Sequence, residues 1–444
     1  MSGARGPAPG LPLTGTGRLA GGFSRAGVDE LSQRKGEPEW LRQRRLAAWE
    51  VFSATPWPTG KEEAWRRIDI HSVTLDGIVP VVGPDDGAVP PPLEEGDASE
   101  AGMIALHNGA AVASRAALPP GVIFTSLDAA VRDYPDLVEP FLGTIVRPED
   151  GIFAALNTAF WSGGVFLYVP AGVEVALPLR ALHWADGAGV GVGGRSLVVV
   201  DAGGAATFID DCLSAPGAAG LVTDVVELRV GAGARLRYIA LHDRGRGVAS
   251  FSWLRGITAR DATLHWLLVV LGSRLARVDL AAVMDEPGST HELLGLCFGD
   301  DAQQFDLHTL QLHAAPHATS DLLFKSVLKE SARSAFAGLI QVAKGAQRTD
   351  AYLANRNLLL SDKARADSIP TLEIEANDVR CTHGATVGPI DEEQVFYLMT
   401  RGIPRIEAER MIVEGFLEPL LSRVPIERVR ARLDQSIARK MEGR

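Results

Sequence analysis

Cysteine is scarce: Cys212, Cys297 and Cys381 are the only three in 444 residues, an odd number set far apart. No disulfide framework follows from such a set, and a reducing, cytoplasmic compartment is expected. No C-x-x-C occurs, and an iron–sulfur cluster usually takes about four thiolates, so the chain alone is poorly equipped to hold one. Positive charge is also in deficit, with a formal net charge of −11, which excludes a nucleic-acid binder that needs a basic face to displace counterions. No apolar run approaches the length that crosses a bilayer, so no membrane association is expected. There is no G-x-x-x-x-G-K-[ST], and hence no P-loop nucleotide site. The run Gly189 to Gly194 imitates a dinucleotide fingerprint but leads into the strand-like "RSLVVVD". No helix N-terminus is therefore offered to a phosphate.

What is present is a globular composition, 46% hydrophobic and 22% charged, long enough for two or three domains. Residues 1–27, rich in Gly and Pro and without the apolar block of a secretion signal, read as a disordered tail. Residues 28–80 read as a helical region. In it "EPEWLRQRRLAAWEVFSATPWPTGKEEAWRR" forms two helices broken at Pro56 and Pro58, with Trp40, Leu41, Leu46, Trp49 and Phe52 along one face. Residues 81–102 are an acidic Pro/Gly linker and 103–150 a mixed α/β segment.

From residue 151 short alternating segments replace helical spacing. A small-residue turn recurs at Gly204-Ala205, Gly233-Ala234, Asp261-Ala262, Gly288-Ser289 and His317-Ala318, in steps of 29, 28, 27 and 29, and then at Ser331-Ala332 and Gly345-Ala346 in half-steps of 14. A fixed period of about 20–50 residues marks stacked repeats that cannot bury their apolar faces singly. Residues 151–390 are thus expected to form a parallel β-helix, a mainly β fold; an ordinary β-sandwich is the alternative. Flanking helices are placed to cap its two ends, those of 391–444 forming a C-terminal helical domain. There Asp391 and Gln394 make a capping pair, Gly402 ends one helix and Pro404 starts the next.

Within "TLEIEANDVRCTHGATVG", Glu373 and Glu375 share a strand face about 6.5–7 Å apart, a spacing that suits an inverting glycosidase as well as a merely solvated face. After the turn, Val379, Cys381 and His383 fall together, opposite Asp378, Arg380 and Thr382. Such spacing by itself favours two packed side chains. One Cys and one His cannot complete a four-ligand site, so any metal there would need ligands from elsewhere, another chain included. His308, in phase with Leu310 and Leu312, reads as a core residue. His242 and His291, near turns, read as exposed, and His313 and His317 flank Pro316.

The blocks "NRNLLLSDKARAD" (355–367) and "CTHGATVG" (381–388), with "GEPEWLRQRRLAAWEVF" (36–52) and "EEAWRRIDI" (62–70), closely resemble the SufB/SufD family of iron–sulfur cluster assembly scaffold proteins, on its SufD side. The resemblance covers nearly the whole chain and is densest after residue 345. It implies a right-handed parallel β-helix between helical N- and C-terminal parts, in a non-catalytic subunit that pairs with SufB and docks SufC, an ABC-type ATPase that brings the nucleotide site. It implies His383 as an interfacial ligand to iron or to a transient iron–sulfur cluster shared with a cysteine of SufB, with Cys381 as an auxiliary thiol. Thr382 stands where the family usually has Ser, and Asn377 where it often has Asp, neither at the proposed ligand. A cysteine that SufB carries near Asn355 is lacking here. The strands of 345–388, with Asn355, Arg356 and Asn357, are the expected heterodimer edge. Arg405, Glu409, Met411, Ile412 and Phe416 are the expected SufC dock. Flavin on the complex stays open as an electron source. A carbohydrate-active β-helix enzyme and a homodimeric β-helix adaptor are the alternatives.

Overall fold

Between Gly163 and Pro389 the chain of this computed structural model, which describes residues 17–85, 88, 91, 92 and 99–442, winds through about eight turns of a β-solenoid. Each turn gives one strand to each of two sheets. One sheet runs from Gly163–Val169 through Ala188–Val200 to Arg365–Ile374, the other from Leu179–Ala185 through Ala205–Ser214 to Arg380–Pro389. Every neighbouring pair within these runs is parallel, and from Ala219 onward the pairing is continuous in register. A sandwich is excluded by this order.

The recurring small-residue turn is one corner of the solenoid. A left-handed backbone residue stands there at Gly203, Gly233, Asp261, Gly288, His317 and Arg348. Ala234, Ala262, Ser289 and Ala318, just beyond, and Ala346, two residues before Arg348, point into the lumen and are fully buried, because the pinched corner admits only a small side chain. Left-handed φ costs a non-glycine residue about 1–2 kcal/mol, which the stacked turns sustain. The half-steps at Ser331 and Gly345 are the two corners of a single turn, since they flank the strand Arg333–Val342.

Stacked positions form columns inside the lumen. One runs Leu179, Phe208, Tyr238, Trp266, Leu293, Leu322, Leu353, each buried and each worth about 1.5–3 kcal/mol of apolar burial. The outer faces are apolar as well, as in parallel sheets covered on both sides. Helices Glu39–Ala54 and Ile152–Phe160 pack over Leu221, Val225, Phe251 and Trp253 of one sheet. Helices Glu392–Met399, Arg405–Leu421 and Glu427–Glu442 pack over Ile239, Leu267, Leu294 and Phe298 of the other.

The C-terminal helices therefore lie along the side of the solenoid rather than across its end, drawn there by the outward apolar residues of the sheet. At the first turn, an antiparallel hairpin, Gly102–His107 with Ala110–Ala116, and the antiparallel strand Ile123–Ser126 extend the sheets. At the last turn no strand among the described residues stacks on Arg365–Ile374 or Arg380–Pro389. Other departures from expectation are local. The buried Leu19 and the first residues of helix Arg25–Lys35 fall inside the stretch read as a tail, whose residues 1–16 lie outside the described residues, as do 86, 87, 89, 90 and 93–98 of the linker. Residues 62–67 form turns, not a second helix.

Candidate functional site

The last strand of one sheet, Arg380–Pro389, is exposed along most of its length, and that of the other, Arg365–Ile374, is half-buried to exposed throughout; among the described residues each pairs with one strand of its sheet. A sheet edge of this kind is a template for strands of a similar partner.

His383 lies on this rim. It stands in register on the buried Leu353 and so belongs to the inward-pointing column, yet it is exposed because no further turn stacks on it. Cys381, in register on the buried Ala351, is half-buried against the main core. Burial, and then Asp350, push its thiol pKa up, so it rests protonated. Among the described residues no group of three or more His, Cys, Asp or Glu could hold a metal ion.

Asn355 and Asn357 belong to the strand beneath the rim and are buried, so they do not form the edge. Asn355 Oδ1 accepts from Ser368 Oγ at 2.6 Å and from Asn357 Nδ2 at 2.7 Å, and Asn357 Nδ2 also donates to Thr386 O at 3.1 Å. They fasten the last turn to its neighbour. Arg356, between them, points outward and is exposed. Glu373 and Glu375 are exposed on a sheet edge rather than enclosing the scissile bond of a sugar as glycosidase carboxylates must.

On the C-terminal helices, Arg405 is exposed and pairs with Glu392 and Glu409 at 2.7 Å each, and Met411 is exposed. Ile412 and Phe416 turn inward against the apolar cluster under the helices, and Lys325 Nζ sits 4.7 Å from the Phe416 ring centroid. The exposed apolar surface lies instead on Phe396, Tyr397, Met399 and Ile406, with Phe396 68% exposed. The signal for it was the run "VFYLM": an eight-residue helix buries one face, here Val395 with Leu398 beside it, and the rest must face water.

A second polar constellation lies inside the lumen. His183, Cys212 and His242 occupy one in-register column, beside Asp210. His183 Nε2 lies 3.0 Å from Asp210 Oδ1, and Tyr238 OH donates to Asp210 Oδ2 at 2.7 Å. Burial disfavours both charges, but their attraction outweighs it, so Asp210 titrates low and His183 high. Burial, with Arg244 adding to it, takes His242 to about 4, and burial pushes the Cys212 thiol well up. His242 and His291 are thus buried rather than exposed, because strand residues point inward right up to a corner. His308 is the converse case: it faces outward, half-buried, 3.0 Å from Asp306 Oδ1.

A family model described as "SUF system FeS cluster assembly, SufBD core domain" matches residues 183–416, and the "SufBD protein N-terminal region" matches 102–181. The chain belongs to the SufBD family. It is 29% identical over 443 residues to the "Iron-sulfur cluster assembly protein SufB" of Bacillus subtilis, covering 95% of this chain and 94% of that protein. It is 29% identical over 437 residues to an "Iron-sulfur cluster assembly SufBD family protein" of Staphylococcus epidermidis, covering 94% and 92%. The SufBD core match takes in nearly the whole solenoid, the rim with His383 and most of helix Arg405–Leu421. No helix among the described residues is long and apolar enough to cross a membrane.

Proposed function

We propose that this SufBD protein is the SufD-like, non-catalytic subunit of a SUF assembly complex. Its open rim pairs edge to edge with the rim of a SufB subunit, and His383 supplies one ligand to the cluster built at that junction. The observation that carries this reading is the exposed imidazole at the end of a buried column, on a last turn that has no further strand stacked on it among the described residues. A neutral imidazole binds iron through one nitrogen while the other is oriented by an acceptor. The exposed Phe396, Tyr397, Met399 and Ile406 surface, with Met411 and Arg405 beside it, suits a SufC ATPase, whose nucleotide site would complement a chain without a P-loop. Flavin would act on the assembled complex rather than on this chain.

The relative named SufB supports a second reading, a SufB-like subunit. Against it stands Asn355, buried and hydrogen-bonded at a position near which the resemblance puts a SufB cysteine. Co-expression with SufB and SufC, followed by size and iron analysis, tests the proposal. A complex containing all three chains and iron is expected. Recovery of this chain only as a homodimer would replace the SufD reading with the adaptor one.

A further inference from the structure

A cavity of about 550 Å³ opens where the solenoid corners at 214–218 and 243–247 meet the last turn of helix Glu427–Glu442. It flanks the early and middle turns of the solenoid, far along the chain from the rim strand Arg380–Pro389. Its wall is built from charge. Arg244 is buried and pairs with Asp224 at 2.8 Å. Arg246 and Lys440 both bind Asp300, the lysine at 2.9 Å. Arg439 is 63% exposed and reaches Asp243 only at 3.8 Å. Four cations thus line the cleft with two carboxylates, Asp243 and Asp300; Arg244 is paired off the wall with Asp224, and Arg246 and Lys440 share Asp300, in a chain whose formal net charge is −11.

The crowding has a cost. Lys440 is buried, and that burial, together with Arg246 nearby, works against its charge while Asp300 restores part of it. An incoming anion would satisfy both cations on Asp300 at once. The negative end of the helix dipole, which would oppose an anion here, is offset by Lys329 Nζ, which donates to Lys440 O and Met441 O at 3.3 Å each. Guanidinium groups match phosphate oxygens in paired hydrogen bonds, and a volume in the range of about 300–1,000 Å³ holds a small molecule rather than a lone ion.

We propose that this cleft binds a phosphate-bearing small molecule of up to mononucleotide size, with Arg246 and Arg439 as its principal contacts. The site is independent of the partner-binding rim. Calorimetric titration of the full-length chain with pyrophosphate and with AMP tests it. Saturable binding of at least one probe is expected, weakened about tenfold or more in Arg246→Ala and in Arg439→Glu, as the loss of a charge-assisted contact implies. Arg439 is exposed, so Arg439→Glu should keep the wild-type melting temperature even if Arg246→Ala does not. Absence of saturable heat from either probe at millimolar concentration would overturn the proposal, as would an Arg439→Glu protein that binds as tightly as wild type.

Discussion

His383 stands directly over Leu353, so the last position of a hydrocarbon column is taken by an imidazole. A buried place in that column would make the ring a packing residue; exposure makes it available. Replacing it therefore separates chemistry from folding.

His383→Ala should leave the unfolding free energy within about 0.5 kcal/mol of wild type, as exposed substitutions do. Iron and sulfide retained by the reconstituted complex should fall roughly tenfold or more, the scale on which even supporting groups of metal sites act. Unchanged cluster yield with an intact complex would remove the ligand role.

The proposed ATPase dock is best probed by point changes. Removing 404–444 would bare Leu267, Leu294 and Phe298, which the helices cover, and lost binding could then reflect aggregation. Phe396→Asp and Ile406→Asp alter side chains that are 68% and 58% exposed. Both should fold normally yet fail to co-purify with SufC; retained binding by the double variant would move the dock elsewhere.

Acid sensitivity should trace to buried imidazoles. Burial takes His242 to about 4 and His291 to about 3, while an unfolded chain takes up those protons near pH 6.5. Below about pH 6.5 the unfolded state binds more protons, so stability falls as pH drops through this window, by at most about 1.4 kcal/mol per pH unit for each histidine. His242→Leu should flatten that slope in urea titrations between about pH 6 and pH 4.5; an unaltered slope would mean His242 is protonated in the fold.

Glu227 ties the segment before the solenoid to its third turn. Its carboxylate accepts from the backbone N–H of Gly143, Ile145 and Val146 at 3.0–3.1 Å and pairs with the buried Arg195 at 2.8 Å. Glu227→Ala leaves that guanidinium without its counter-charge and should cost about 3–5 kcal/mol. Limited proteolysis should then cut first within 127–150; an unchanged digestion pattern would show the segment is held by packing alone.

The solenoid was legible because its corners recur. Each corner repeats the same steric demand, a left-handed residue and then a small one, and that demand writes a period into the sequence. Helix Glu392–Met399 was legible for a similar reason, since the Asp391 side chain accepts from the N–H of Glu393 and Gln394. What lies inside or outside each strand was harder. Both faces of these strands are apolar, so alternation loses its meaning and places His242, His291 and His308 each on the wrong side. The resting place of the C-terminal helices depends on outward residues such as Leu267 and Leu294, which look no different in sequence from the lumen residues Leu264 and Leu293. His383 could be located on its strand, but its exposure depends on the absence of a following turn.

Gly295 faces Phe324 across adjacent strands, and a β-carbon on the glycine would collide with that ring. The turn below places Leu268 opposite the same glycine. Excising the repeat unit between Thr290 and Ala318 would preserve every backbone pairing yet bring Phe324 against Leu268, overfilling the interior at a cost of about 1–3 kcal/mol. These repeats are therefore keyed to their neighbours in order by complementary side-chain volumes, which a uniform backbone cannot supply.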